Sequence, residues 1–171
     1  MLVLDRRVYL LTGKLITLQP YTLARCHAFW REYVSDPAMW HEAYTYDPQQ
    51  VEKYYQKKVM DESRRYFAIC LGDQTVGEIQ LKYIDIEKCC GTMSIHFSGD
   101  RYKNRGFGTE AERLLVNYAF EGLGLKTIYA DCVLRNTRSQ HVLEKIGFVY
   151  THEDDLLRYY KRERETAITK G

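Results

Sequence analysis

Residues 101–115 read RYKNRGFGTEAERLL, a cationic run followed by two glycines one residue apart and the start of an apolar stripe. Beyond Gly108 the apolar or small residues keep the i, i+3, i+4, i+7, i+8 spacing of one helix face, at Ala111, Leu114, Leu115, Tyr118 and Ala119. The first N–H groups of a helix have no internal partner, and the peptide dipoles favour negative charge beside them. Because Gly106 and Gly108 carry no side chain, the stretch predicts a phosphate-binding loop that leads into a helix, with a plain tight turn as the alternative.

Two other phosphate-binding motifs compete for this stretch. A P-loop is excluded, because it requires a Gly-Lys-Ser/Thr sequence and residue 107 is Phe. The dinucleotide-binding pattern G-x-G-x-x-G/A is met by Gly106, Gly108 and Ala111, with Asp131 about twenty residues later. However, residues 99–105 separate the glycines from the preceding strand, only about 60 residues follow them, and Asp131 lies inside a predicted strand. These features count against a nicotinamide-dependent oxidoreductase.

The pattern on either side of the loop predicts a mixed α+β fold. Alternating apolar residues and turn signals predict seven strands, at residues 14–19, 66–71, 75–84, 91–98 and 127–134 and twice within 149–165. Helices are expected from about residue 23 to before Ser35, from Pro48 to about Met60, from Gly108 to Gly122, and from Asn136 to Ile146. This order indicates a mostly antiparallel central sheet of six to seven strands, flanked by helices and carrying one crossover helix.

Composition restricts the class of protein. A chain of 171 residues most simply forms one domain, residues 1–171, and a formal net charge of +2 gives no reason to expect a nucleic-acid partner. Five cysteines without a CxxC pair favour a reducing compartment, so a cytoplasmic location is expected. No run approaches eighteen apolar residues, and the histidines lack zinc-ligand spacing, so neither a membrane partner nor a metal cofactor is expected.

The sequence YKNRGFGTEAERLLVNYAF, followed by a strand and NTRSQHVLEKIGFVY, resembles the GNAT family of acetyl-CoA-dependent N-acetyltransferases. The resemblance rests on residues 103–108, which match the family's R/Q-x-x-G-x-G/A loop except that Lys103 replaces Arg or Gln. Asn136 and Ser139 before EKIGF resemble the branch that acetylates the N-termini of ribosomal proteins. The resemblance is strong over residues 93–150 and weak before residue 66.

This resemblance implies acetyl-CoA as co-substrate and identifies the residues that would hold it. The pantetheine arm would pair with the strand end at Phe97 and Ser98, and Asn136 and Ser139 would also contact the cofactor. The alternative for Asn136 is that it only caps the following helix. The cofactor-binding loop would comprise Lys103, Asn104, Arg105, Gly106, Phe107, Gly108 and Thr109, and the pyrophosphate would lie on the amides of residues 105–109.

One departure from the family concerns the acid that protonates the leaving thiolate. Many relatives carry a tyrosine one residue before the Glu-Lys pair, and this chain has Leu143 there. The branch resemblance implies Ser139 as the substitute. Leu143 also supports an alternative function, a CoA-binding sensor or partner protein that has the fold and does not catalyse.

The general base is expected on the central strands. Strand alternation puts Glu78 on one face with Gln80, and His96 on one face with Ser94 and Ser98. A titrating group at the substrate cleft would accept the amine proton through water, whereas a solvated or helix-covered polar side chain is the alternative for each. The implied acceptor is a primary amine, either a peptide N-terminus or a small amine, and edge strands at the C-terminal end are compatible with a homodimer.

Overall fold

The computed structural model describes residues 10–37 and 42–166. Within them lie eight strands: β1 (Leu11–Thr12), β2 (Thr17–Pro20), β3 (Arg65–Leu71), β4 (Gln74–Asp85), β5 (Cys90–Phe97), β6 (Thr127–Val133), β7 (Val149–Glu153) and β8 (Leu157–Glu163). The same residues form four α-helices: α1 (Leu23–Glu32), α2 (Pro48–Tyr54), α3 (Phe107–Asn117) and α4 (Thr137–Lys145). α2 and α3 each continue into a π-helical turn, Tyr55–Val59 and Tyr118–Gly122 respectively.

The strands form one sheet in the order β1-β2-β3-β4-β5-β6-β8-β7, in which only the β5–β6 pair is parallel. The expected mixed architecture with a mostly antiparallel sheet is therefore confirmed. The sheet has one strand more than the six to seven expected, because residues 11–12 fold back onto β2. The turn between them is closed by the Gly13 N–H, which donates to the Ile16 carbonyl at 2.9 Å.

Helices cover both faces of the sheet, and each face has its own apolar core. On one face α3 and its π-helical turn pack with Ala111, Leu115 and Ala119 fully buried against strand residues such as Ile79 and Ile128. On the other face α1 and α2 cover a smaller cluster that includes Cys26, Val51 and Cys70. The periodic stripe that begins at Ala111 is thus the buried face of the crossover helix, as its spacing predicts.

β5 and β6 separate toward one end of the sheet, and this separation positions the site. They pair only from Cys90↔Thr127 to Met93↔Ala130, although β5 continues to Phe97 and β6 to Val133. The Ser98 N–H donates to the Val76 carbonyl on the β4 side at 2.9 Å. Since backbone groups alternate in direction along a strand, the N–H and C=O groups of Ile95 and Phe97 point away from β4, into the gap.

Candidate functional site

The loop between β5 and α3 exposes the start of the helix to any ligand in the gap. Asn104 and Gly106 adopt positive φ angles of 58° and 82°, which turn the chain sharply into α3. Gly106 occupies the N-cap position, where no side chain caps the helix. By helix geometry, the N–H groups of Phe107, Gly108 and Thr109 therefore point outward without an intrahelical acceptor. This is the arrangement that binds phosphate oxygens.

The loop's cations contribute less positive charge than the sequence indicates. The Lys103 ammonium forms ion pairs with Asp36 and, at 2.7 Å, with Asp100. The Arg105 guanidinium lies over the Phe107 ring, 4.8 Å from its centroid, and that ring is itself buried in the core. Phe107 can thus offer a ligand only its backbone amide. An anion in this loop would be held chiefly by backbone N–H groups, with Lys103 largely neutralised.

A cavity beside the loop is lined by most of the predicted cofactor-binding residues, and we call it the cofactor-side cavity. It is bordered on the β5 side by Ile95, His96 and Phe97. Ser98, which was expected there, is absent from its lining: its side chain is 1% exposed, and its carbonyl accepts from the Val34 N–H at 2.8 Å. Because both Ser98 backbone groups are already bonded within the protein, this geometry does not support Ser98 as a cofactor residue. The loop and α4 supply Lys103, Asn104, Gly106, Gly108, Thr109, Asn136 and Ser139.

Asn136 and Ser139 both lie at the start of α4. The Asn136 side chain caps this helix by accepting from the Ser139 N–H at 3.1 Å. Its Nδ2 group can still donate to a ligand in the cavity that it borders. Burial raises the pKa of the Cys132 thiol to about 11, and the neighbouring Ser139 side chain opposes part of this shift. Leu143 is buried one turn further along α4.

Glu78 and His96 are brought together as register partners on β4 and β5. The Glu78 carboxylate is 2% exposed and accepts hydrogen bonds from the Tyr21 hydroxyl at 2.7 Å and the Tyr54 hydroxyl at 2.8 Å. The His96 Nδ1 atom lies 3.7 Å from Glu78 Oε1. Burial, followed by the charge of Glu78, raises the pKa of both tyrosines. Glu78 is therefore enclosed, whereas the His96 side chain is 30% exposed and can reach a ligand.

A second cavity opens on the α1–α2 side of the sheet and is lined by aromatic side chains. Glu78 and His96 form part of its floor together with Gln80 and Ser94, as the strand alternation predicts. His96 also borders the cofactor-side cavity, so this one residue lies next to both spaces. Five of the chain's 15 tyrosines line this aromatic cavity. Its aromatic residues are Trp30, Tyr33, Tyr44, Tyr54, Tyr66 and Tyr83.

Glu112 is a site residue that the sequence does not reveal. The sequence places it in the first turns of α3, where an acidic residue would favourably meet the helix dipole. In the structure it lies one turn beyond Gly108, is 3% exposed and borders the cofactor-side cavity. Burial raises the pKa of its carboxyl group to about 8. Its i+4 spacing from Gly108 was the available signal, because the two positions share a helix face.

Within the described residues no group of three or more His, Cys, Asp or Glu side chains is arranged to hold a metal ion. Across residues 10–37 and 42–166, no helix has the length and apolar character needed to cross a membrane.

Comparison with known proteins identifies the fold and the family. A family model described as "Acetyltransferase (GNAT) domain" matches residues 16–149. The Probable N-acetyltransferase YjcK of Bacillus subtilis (strain 168) is 36% identical over 107 residues, which make up 61% of this chain and 57% of that protein. The chain spans about half the length of the curated relatives it matches.

Solved structures agree on the fold. A dodecameric spermidine N-acetyltransferase from Vibrio cholerae superposes with a TM-score of 0.70 at 18% identity, covering 88% of this chain and 95% of that one. The N-acetyltransferase PseH of Campylobacter jejuni, in complex with acetyl coenzyme A, gives a TM-score of 0.60 at 20% identity, covering 68% and 79%. At these identities the likeness concerns the fold alone.

Proposed function

Because this chain belongs to the GNAT acetyltransferase family, we propose that it transfers an acetyl group from acetyl-CoA to a primary amine. The observation that carries the proposal is that His96 borders both the cofactor-side cavity and the aromatic cavity. A group that removes a proton from an amine must touch the space in which donor and acceptor meet. His96 satisfies this requirement.

The residues of the cofactor-side cavity fit acetyl-CoA. The pyrophosphate would rest on the N–H groups of residues 107–109, where Gly106 leaves the helix start uncapped. The pantetheine arm would pair with Ile95 and Phe97, whose backbone groups face the gap between β5 and β6. A strand N–H from this pair would also polarise the thioester carbonyl, and one such donor is worth roughly 3 kcal/mol in the transition state. Acetyl-CoA supplies the activated acetyl group.

We propose direct attack by the amine, with His96 as base and Glu78 as its positioning residue. The amine nitrogen attacks the thioester carbonyl, the C–S bond breaks, and His96 accepts the proton that the nitrogen loses. Glu78 Oε1, 3.7 Å from His96 Nδ1, would stabilise the resulting imidazolium. The enclosed position of Glu78 supports this assignment, because two tyrosine hydroxyls already occupy its oxygens. The Ser139 hydroxyl would donate a hydrogen bond to the departing sulfur.

The acceptor determines how much the base contributes. At pH 7 an amine like that of lysine, with a pKa near 10.4, is neutral about one time in two thousand, whereas a peptide α-amine near 7.8 is neutral roughly one time in seven. The aromatic cavity would hold either amine by cation–π contact before deprotonation. A peptide N-terminus and a small amine are therefore both retained as acceptor classes.

Compartment and assembly are part of the proposal. All five cysteines have free thiols, which supports a reducing compartment such as the cytoplasm. Strand β7 forms an edge of the sheet and is exposed along its whole length, so a homodimer could form by pairing two such edges.

The first test is ligand-dependent thermal stability. Acetyl-CoA and CoA at a hundred times their dissociation constants should stabilise the wild type by about 2.7 kcal/mol, whereas NADH should not. Gly106→Val should abolish this stabilisation. Gly124→Val is the matched control, because Gly124 has a similar φ of +68° and lies away from the loop, so it carries the same backbone strain.

A thiol-release assay with peptides and small amines then tests the transfer itself. Release of CoA that depends on an amine supports the proposed function. If CoA stabilises the protein and no amine in the panel causes release, the alternative of a non-catalytic CoA-binding protein is favoured. If neither acetyl-CoA nor CoA stabilises the wild type, the proposed function is wrong.

A further inference from the structure

Glu112 borders two spaces beside the gap between β5 and β6. One is the cofactor-side cavity, and the other is a further space, distinct from the aromatic cavity, that Ser139 and Leu143 line from the α4 side. Glu112 is only 3% exposed, and its Oε2 atom has no hydrogen-bond partner among the described residues. A buried carboxyl oxygen without a partner costs free energy, so its retention calls for a ligand or a reaction.

The surroundings of Glu112 keep its carboxyl group protonated near neutral pH. No ion pair of Glu112 exists within residues 10–37 and 42–166, and burial alone raises its pKa to about 8. Cys132 is near enough that the charge of Glu112 would raise the pKa of its thiol. The titratable and charged groups that border the same two spaces are Tyr33, Asp36, Lys82, His96, Tyr102, Lys103, Asp131, Cys132 and Arg138.

Acetyl transfer requires a proton for the leaving sulfur, and the other groups in the gap are less suited to give it. Ser139 is an alcohol and can donate a hydrogen bond but not readily a proton. The Cys132 thiol has a pKa of about 11, well above the ordinary thiol value of about 8.5. His96 faces the amine in the proposed mechanism. A carboxylic acid whose proton affinity resembles that of a thiol is a matched donor.

We propose that the Glu112 carboxyl group donates the proton that the CoA sulfur takes up as the acetyl group leaves. The inference rests on the proposed function. When the tetrahedral intermediate collapses, the C–S electron pair moves to sulfur and the Glu112 O–H proton follows it, leaving CoA thiol and a Glu112 carboxylate. His96 holds the proton lost by the amine nitrogen. Glu112 recovers a proton from solvent after CoA leaves, and His96 releases one, so protons balance over the cycle.

The closing experiment titrates the sulfur of bound CoA by the ultraviolet absorbance of its thiolate, which requires no turnover. In the wild type the thiol and Glu112 should lose their protons in two coupled steps, because each charge disfavours the other. In Glu112→Gln the thiol should titrate in a single step. Glu121→Gln serves as the control, since Glu121 is an exposed carboxylate in the turn that follows α3. Superimposable curves for wild type and Glu112→Gln would overturn the inference.

Kinetics supply the second readout. The wild-type kcat should fall above about pH 8. Glu112→Gln should have a kcat about 100-fold lower than the wild type, and its kcat should no longer fall above about pH 8. Glu112→Leu should lose activity while it raises the melting temperature, because an apolar side chain removes the unpartnered oxygen. A purely structural role predicts the opposite change in melting temperature. If the wild type releases CoA and Glu112→Gln is equally active, this inference fails alone; if the wild type does not bind CoA, the proposed function fails with it.

Discussion

An unpaired carboxyl group in a protein interior makes folding stability depend on pH, and Glu112 is such a group. Its pKa is raised from 4.5 in the unfolded chain to about 8 in the fold, so between these values the folded state holds a proton that the unfolded state lacks. The stability that Glu112 contributes is therefore complete below about pH 4.5 and is lost as pH rises through about 8. The expected slope approaches about 1.4 kcal/mol per pH unit.

Urea unfolding of wild type and Glu112→Gln from pH 5 to pH 9 measures this loss. The wild type should lose stability relative to the glutamine variant across the interval and run parallel to it above pH 9. Glu121→Gln should follow the wild type throughout, because that carboxylate is exposed. Parallel curves for wild type and Glu112→Gln over the whole range would mean that Glu112 is already ionised at low pH.

The hydroxyl groups that hold Glu78 should contribute measurably to stability. Tyr54→Phe removes a donor 2.8 Å from the buried carboxylate, and a hydrogen bond to a charged group contributes about 1.5–3 kcal/mol. The variant should unfold at correspondingly lower urea concentration. Tyr129→Phe is the control, since Tyr129 is 44% exposed. Equal effects of the two substitutions would contradict the assigned role of the Tyr54 hydroxyl.

At the scale of elements, one carboxylate joins the first hairpin to the crossover helix. Glu110, in the first turn of α3, accepts hydrogen bonds from the N–H groups of Lys14, Leu15 at 2.8 Å and Ile16 at 3.0 Å. The approach is so close that a Cβ atom on Gly13 would lie 2.5 Å from Glu110 Cδ. The β1–β2 turn therefore helps to fix the start of α3, where the N–H groups of residues 107–109 have no side-chain cap.

We expect Glu110→Gln to cost about 1–3 kcal/mol in unfolding free energy, since it removes the charge and one of the two accepting oxygens. Chemical denaturation measures the loss, and Glu121→Gln at the other end of the same helical segment should stay within about 0.5 kcal/mol of the wild type. A loss of equal size in both variants would show that any change of acidic charge on this segment has the same effect.

The sequence was sufficient for features that depend on local pattern. The stripe from Ala111 predicted the buried face of α3, and alternation predicted that Glu78 shares a face of its strand with Gln80 and that His96 shares one with Ser94. That the two pairs lie side by side follows from the register of β4 and β5, which the sequence does not reveal. It was insufficient where distant segments meet. Lys103 looked like a free cation in part because one of its two partners, Asp36, is 67 residues away, whereas the other, Asp100, is a neighbour in the sequence. Ser98 looked available because the Val34 N–H that occupies its carbonyl comes from the end of α1.

Across the whole molecule, cofactor binding should change hydrogen exchange in a definite pattern. Acetyl-CoA should slow exchange at Ile95, Phe97 and Gly108, because their N–H groups would gain acceptors. The Ser98 N–H, already bonded to Val76, should change little and serves as an internal control. Exchange measured by NMR with and without acetyl-CoA tests this, and unchanged protection in the gap would contradict the assignment of the pantetheine arm.

The separation of β5 from β6 leaves a short length of sheet without a partner strand. On the proposed function, the pantetheine arm supplies those missing hydrogen bonds, so the co-substrate acts as part of the sheet. Any ligand that binds only the folded state lowers the population of open forms in proportion to its occupancy. Proteases that cleave the open form would then degrade the protein more slowly when acetyl-CoA is plentiful. The lifetime of this protein in a cell would thus follow the supply of the molecule it consumes.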